Sequence, residues 1–167
     1  MGMTELSIGQ AQRMTAPAPF GLVSTLKEDG STNLMAVSWW TYLTNHPAMI
    51  GVCLSKKGLS GSLIEKNGEF ALSIVGEELK EKAKKCGTCS GRTIDKIKEF
   101  GIETEKSAVI APCVVSGSRV IFECKLVSMA EAGDHVLYMG EIIALRGDPE
   151  VKHLYAFDGY ARLDTVL

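Results

Sequence analysis

The stretch Ser118–Leu145, SRVIFECKLVSMAEAGDHVLYMGEIIAL, decides the fold. Its first half, Ser118–Ala130, is a long run rich in Val and Ile, the residue types that fit a pleated surface. Gly133-Asp134 is a turn signal, and Val136–Leu145 is a second strand. The two predict a long antiparallel hairpin. Working outward, the segments upstream have the same character. Pro17 and Pro19 lead into a strand, Phe20–Leu26, which Glu28-Asp29-Gly30-Ser31 ends as a turn. Asn33–Trp40 is read as the second strand of that hairpin. After His46-Pro47, Ala48–Ser55 (AMIGVCLS) is mostly apolar and predicts a strand buried on both faces. Glu69–Val75 (EFALSIV) alternates with period two and predicts a fourth.

Helical signals are fewer. Ser60–Lys66 predicts a short helix with Ser60 as N-cap and Gly68 as its stop. Glu77–Lys85 places acids in a first turn and lysines in a last, as the helix dipole favours. A further short helix, Ile94–Phe100, ends at Gly101. Residues 1–16 show no clear periodicity and are expected to be an arm ordered against a partner. Tyr155–Leu167 is expected to be a short tail. The pattern is four strands, a helical insert and two long strands: a mainly β chain, with residues 17–167 as a single domain. A closed or nearly closed antiparallel barrel is the economical way to remove its exposed edges.

Composition narrows the function classes. A chain of 167 residues suits one domain with a real core, and 46% hydrophobic with 23% charged residues is a globular balance. The net charge of −2 supplies no general attraction for nucleic acid or an anionic membrane, so neither is expected as a partner. The basic residues of Lys80–Lys85 and Lys96–Lys98 are interleaved with acids. No apolar run approaches the roughly 18–20 residues needed to cross a bilayer. The first twelve residues have no basic start or apolar centre like those of a secretory signal. Five cysteines, an odd and scattered set, suggest reduced thiols, and the cytoplasm is the expected compartment. Cys86-Gly87-Thr88-Cys89 is a C-x-x-C, but no second such pair completes a zinc site, so no metal is expected there. Nothing matches a Ser/His/Asp triad, a Walker loop or a Rossmann glycine fingerprint.

Several stretches, in order, resemble one family. They are Pro19–Leu26 with Asp29-Gly30; Asn33–Trp39 (NLMAVSW); Lys56–Ile64 with Gly68-Glu69-Phe70; Ser90-Gly91-Arg92 with Asp95-Lys96; and Gly133-Asp134-His135 followed by Gly140-Glu141. Over about residues 17–147 the chain is similar to the flavin reductase-like group, whose fold is the FMN-binding split β-barrel. Members are commonly FMN-binding homodimers. They include NAD(P)H:flavin reductases, an archaeal ferric reductase and flavoredoxins.

The resemblance implies roles for particular residues. Asn33, Met35, Ala36, Val37 and Ser38, with the Trp39–Thr41 corner, would contact the flavin ring and ribityl chain. Small side chains at Ala36 and Ser38 would let the ring approach the backbone, and Asn33 offers both donor and acceptor. A plain apolar strand with Trp39 and Trp40 packed in a core or interface fits the composition as well. Lys56–Ser62 (KKGLSGS), preceded by Ser55, offers positive charge and hydroxyls at a helix start. On chemistry alone that is a solvated loop; by resemblance Lys56, Lys57, Ser60, Gly61 and Ser62 would hold the flavin phosphate. Arg92 and Lys96, four apart, would share a helix face; by resemblance they approach that phosphate or the nicotinamide nucleotide, and an ordinary solvated face fits the spacing as well. His135 would lie where nicotinamide docks; a capped turn with a satisfied surface histidine is the other reading. The implied activity is FMN-dependent oxidoreduction. NADH or NADPH would be co-substrate, and a free flavin, ferric iron or a redox protein the electron acceptor. A flavoredoxin-type carrier and a non-catalytic FMN-binding protein are the alternatives.

Overall fold

The computed structural model describes residues 2–166; Met1 of the expected arm and Leu167 of the expected tail lie outside the described residues. The chain starts with helix α1 (Ile8–Met14), where Ser7 and Gln10 form a reciprocal capping box and no helical residue is buried. Strands β1 (Ala18–Pro19), β2 (Gly21–Leu26) and β3 (Thr32–Val37) follow. The β2–β3 turn is closed by the Asp29 carboxylate accepting from the Ser31 amide at 2.9 Å. Next come β4 (Trp40–Asn45), β5 (Ala48–Ser55), helix α2 (Leu59–Asn67) and β6 (Glu69–Ile74). A 3₁₀ turn at Glu77–Leu79 leads into α3 (Lys80–Cys86), and α4 spans Lys96–Phe100. The short pair β7 (Thr104–Glu105) and β8 (Val114–Val115) precedes the long hairpin of β9 (Val120–Ala132) and β10 (His135–Gly147). The chain closes with β11 (Tyr155–Asp158) and β12 (Arg162–Asp164).

Seven strands form one antiparallel sheet in the order β3-β2-β6-β9-β10-β5-β4. Its two edges, β3 and β4, are consecutive in the chain. The two-residue link Ser38-Trp39 carries the backbone from one edge to the other, so the sheet curls into a barrel whose seam is covalent. This is a split barrel. At the seam the Trp39 carbonyl accepts from the Cys53 amide at 2.8 Å, which fixes the link against β5. The barrel interior holds Val23, Val37, Ile50, Val52, Leu54, Phe70, Leu72 and Phe122. A second core forms outside it, where Phe20, Leu22, Leu34 and Ala36 meet Ala83 and Cys86 of α3 and Leu154, Ala156 and Leu163 of the C-terminal segment. β2 is therefore buried on both faces along most of its length.

Several expectations are corrected. Asn33–Trp40 is not one strand but breaks at Ser38, because the barrel turns there. Ala48–Ser55 is a strand buried on both faces only at its centre, Ile50–Val52; towards its ends Met49, Cys53 and Ser55 are partly covered. Residues 8–14 of the arm are helical, and the tail contributes β11 and β12 to a sheet with β1. No helix among the described residues is long and apolar enough to cross a membrane.

One buried charge braces the barrel. Glu123, fully buried on β9, accepts from the amides of Ala108 and Val109 at 2.8 Å each and pairs with Arg146 at 2.6 Å. Burial pushes the Glu123 carboxyl up, but the two amides and the guanidinium outweigh it and leave the carboxyl below its usual range.

Candidate functional site

A pocket of about 440 Å³ opens between β3, the β5–α2 corner and the chain between α3 and α4. Asn33, Met35, Ser55, Lys57, Ser60 and Lys96 line it, with Cys89 and Ser90. Gly58 is the N-cap of α2 and supplies no side-chain acceptor, so the first-turn amides beside the pocket have no capping group. Ser60, expected as the cap, lies instead within the first turn and is buried. Its hydroxyl accepts from Asn33 Nδ2 at 3.0 Å, and Asn33 Nδ2 also donates to Thr25 Oγ1 at 3.2 Å. A side chain at Gly91 would overlap Asn33 Oδ1, so only glycine lets the 90–92 backbone lie against this amide. Asn33 thus ties β3 to α2 and to the loop after α3. It builds the pocket floor, and its Nδ2 is committed to protein partners.

Lys96 is the unusual member. It is only 5% exposed, and its Nζ donates to the Cys86 carbonyl at 2.8 Å. Among the described residues its ammonium has no acidic partner. Burial depresses its pKa, and the neighbouring Cys86 and Cys89 sulfurs oppose that only in part. The pocket therefore carries two ammonium groups, several hydroxyls and no carboxylate. An ammonium has three protons to donate and here one is used. The donor set fits an anionic group with several acceptor oxygens.

A second cluster adjoins it through β5. His135 pairs across the sheet with Ser55, one of the pocket residues. Its ring lies 4.9 Å from that of Trp39, which is 47% exposed. His135 Nδ1 is 2.8 Å from Asp134 Oδ1, a contact that holds the Asp134 carboxyl below its usual range. The Lys56 amide donates to the Asp134 carbonyl at 3.0 Å, so the His135 turn and the Lys57 corner are one unit. Trp39 and Ser38 also line a depression of about 440 Å³ against Gln12 and Arg13 of α1.

Other expected positions fall elsewhere. Ala36 and Val37 pack into the two cores, so of the small residues only Ser38 stands at the seam. The Ala36 carbonyl accepts from the Tyr160 hydroxyl at 3.2 Å. Gly61 faces the Tyr138 ring, which leaves no room for a side chain. Lys56 pairs with Glu131 at 3.5 Å, and the exposed Thr41 hydroxyl donates to the Tyr42 carbonyl at 3.1 Å. Arg92 and Lys96 do not share a helix face, because α4 begins at Lys96 behind its cap Asp95. Arg92 and Ser62 line a neighbouring pocket instead. Cys89 was not expected at the site; the C-x-x-C was visible, but only the crossing of α3 and α4 brings it here, beside Ser90.

The sequence model of the flavin reductase like domain matches residues 13–164. A ferric-chelate reductase (NAD(P)H) of Archaeoglobus fulgidus is 28% identical over 102 residues, which are 60% of this chain and 59% of that protein. Among solved structures, a flavoredoxin from Methanosarcina acetivorans superposes with a TM-score of 0.87 at 21% identity, covering 100% of this chain and 92% of that one. The NADH:FAD oxidoreductase SgcE6 of Streptomyces globisporus superposes with a TM-score of 0.85 at 16% identity, covering 99% of each.

Proposed function

The chain belongs to the flavin reductase-like family, and from that premise we propose that it is an FMN-dependent oxidoreductase with the flavin phosphate in the Lys57–Lys96 pocket. The observation that carries this reading is the carboxylate-free lining around a buried, under-partnered ammonium. Lys57 and Lys96 would neutralise the phosphate while the uncapped amides of α2 donate to its oxygens. Asn33, Ser60 and Gly91 would keep that floor rigid. The backbone at Ser38 and Trp39, facing away from the cores, would receive the ring edge. When bound, FMN supplies hydride acceptance and electron transfer; the protein's share is orientation and exclusion of water. His135, fixed by Asp134, would present its ring where a nicotinamide approaches.

NADH or NADPH is the proposed reductant, and a free flavin, ferric iron or a redox protein the acceptor. One observation favours the carrier alternative: the Trp39 ring already packs 4.9 Å from the ring of His135, the residue proposed to meet a nicotinamide. A homodimer in the cytoplasm is the proposed state. It is supported by apolar side chains exposed on β4 and the long hairpin, Tyr42, Val127 and Leu145 among them, and by five free cysteines.

The test is direct. The purified protein is expected to show a flavin spectrum, or to gain one with added FMN, and to bleach anaerobically with NADH or NADPH. Bleaching only with a reduced redox protein would establish the carrier. Failure to bind FMN at all would end both readings.

A further inference from the structure

The C-x-x-C that follows α3 is a motif the proposed function leaves unused. Cys86 is the last residue of α3 and packs in the outer core, 2% exposed. Cys89, three residues on, is only partly covered and lines the Lys57–Lys96 pocket. Every residue from Gly87 to Gly91 lines that pocket, so the loop that carries the pair is one of its walls. The wall is pinned at both ends. A Cβ on Gly87 would stand 2.6 Å from Tyr160 Cδ2, and the Gly91 backbone lies against Asn33 Oδ1. Between these points the Lys85 carbonyl accepts from the Thr88 amide at 3.0 Å and from the Cys89 thiol at 3.6 Å.

The two thiols differ in a way that suits stepwise oxidation. Reactive cysteines are partly exposed in electropositive surroundings, whereas buried ones are inert. Cys89 meets both conditions, since it faces the pocket and the Lys96 ammonium stands beside it. Cys86 is shut off from solvent, and burial pushes its thiol up to about 11, so it stays protonated while Cys89 reacts. The pair is also placed to close a bond. The Gly87 and Thr88 amides bond back to the Lys84 and Lys85 carbonyls, so the turn of α3 runs on past Cys86. Residues three apart on such a turn have the short Cα separation that a disulfide requires.

We propose that Cys86 and Cys89 are a peroxide-responsive pair, in which Cys89 is oxidised first and Cys86 resolves it into a disulfide that loosens the hold on the flavin phosphate. The loosening rests on the placement of that phosphate between Lys57 and Lys96; the oxidation does not. The Cys89 sulfur attacks one oxygen of hydrogen peroxide, the O–O bond breaks and water leaves, so the sulfur is oxidised to a sulfenic acid as the peroxide is reduced. The Cys86 sulfur then attacks that of Cys89, the S–O bond breaks, and the hydroxyl departs with the Cys86 proton as a second water. Closing the bond takes the Cys89 donor from the Lys85 carbonyl and draws the middle of the wall toward the core. It also moves Cys86, whose carbonyl accepts from Lys96 Nζ at 2.8 Å. Pocket wall and buried ammonium are displaced together.

Peptide mapping of the flavin-free protein after hydrogen peroxide tests the oxidation. Trypsin cuts after Lys85 and Arg92, which leaves both cysteines in the peptide Cys86–Arg92. This peptide is expected to lose the mass of two hydrogens and to regain it with dithiothreitol. Cys86→Ala is expected to stop at the sulfenic acid, trapped by dimedone on Cys89, and Cys89→Ser to give neither product. Calorimetric titration is expected to show FMN binding about tenfold weaker to the disulfide form, within the usual span of coupling between sites, and riboflavin unchanged. By reciprocity, saturating FMN then raises the midpoint potential of the pair by about 30 mV. The proposal is overturned if the peptide keeps its hydrogens, or if peroxide weakens FMN equally in Cys89→Ser. Tight FMN binding that is indifferent to the disulfide overturns the loosening and leaves the phosphate placement standing. Failure of FMN to bind in either state overturns both.

Discussion

A lysine folded into a protein without a carboxylate beside it is costly unless something supplies negative charge, and Lys96 is such a residue. Lys96→Met keeps the volume and removes the charge. It is expected to weaken FMN by ten- to a hundredfold, the scale of about 1.5–3 kcal/mol for a hydrogen bond to a charged group, and to leave riboflavin binding unchanged. Equal loss of both ligands in a binding titration would refute the phosphate role. Because burial lowers the Lys96 pKa, FMN affinity is expected to fall with rising pH before the ordinary lysine range near 10.4 is reached, and riboflavin affinity is not. Glu123 carries the opposite sign. Its folded carboxyl titrates below its unfolded value, so its stabilisation is present above the unfolded pKa and is lost as pH falls through the folded one. Glu123→Gln is expected to cost about 3 kcal/mol at pH 7 by urea unfolding, and much less near pH 3. An equal cost at both pH values would sink the electrostatic account. Among the residues lining the pocket, Lys57 and Ser60 could be placed together from the sequence because they sit within one short run. The surroundings of Lys96 were not, since its burial depends on α3 and α4 crossing β3.

At the scale of elements, the long hairpin was readable because thirteen-residue strands rich in Val and Ile with a Gly-Asp turn admit few other structures. β4 was missed because only its first residue, Trp40, lies in the apolar run read as one strand, and the rest of it is mostly exposed and without a buried alternating face. The capping pair of α1, Ser7 and Gln10, was present in the sequence, but this helix buries nothing that would have given it a periodic face. Ser60 looked like a cap because it is a serine preceding apolar residues. Its hydroxyl serves Asn33 instead, a partner that comes from another element. The register shift opposite Met139 and Gly140, where Val127 of β9 is the extra residue, shows what local pattern does not reveal. A Cβ at Gly140 would stand 2.7 Å from the Phe70 ring and 2.8 Å from Cys124 Cβ. Gly140→Ala is therefore expected to overpack the barrel by about 2 kcal/mol and to lower the thermal midpoint by roughly 4–8 °C. An unchanged midpoint would show that β10 shifts freely, contrary to its pairing with both β5 and β9.

The whole molecule buries its apolar residues in two cores, yet leaves a third set outside. The inner core closes the barrel, and the outer one fastens α3, α4 and the C-terminal strands over β2 and β3. On the remaining side, Tyr42 and Leu145 stay 65% and 60% exposed and line one depression of about 570 Å³ with Phe122 and Ile142. Tyr42 already packs edge-on against Trp40 and Phe122, so the ring is held in place while most of the residue stays exposed. Rigid exposed aromatics lose little entropy on being covered, which is why they anchor interfaces. A second copy of the chain would cover this face, and the proposed dimer follows. Sedimentation velocity is expected to give twice the 18.0 kDa of the chain. Tyr42→Glu with Leu145→Glu places a carboxylate at each of two neighbouring points on this apolar face, and is expected to return the protein to a monomer. Because the Lys57–Lys96 pocket is built within one chain, that monomer is expected to retain a phosphate-dependent preference for FMN over riboflavin. A dimer that persists in the double variant would move the interface to another face.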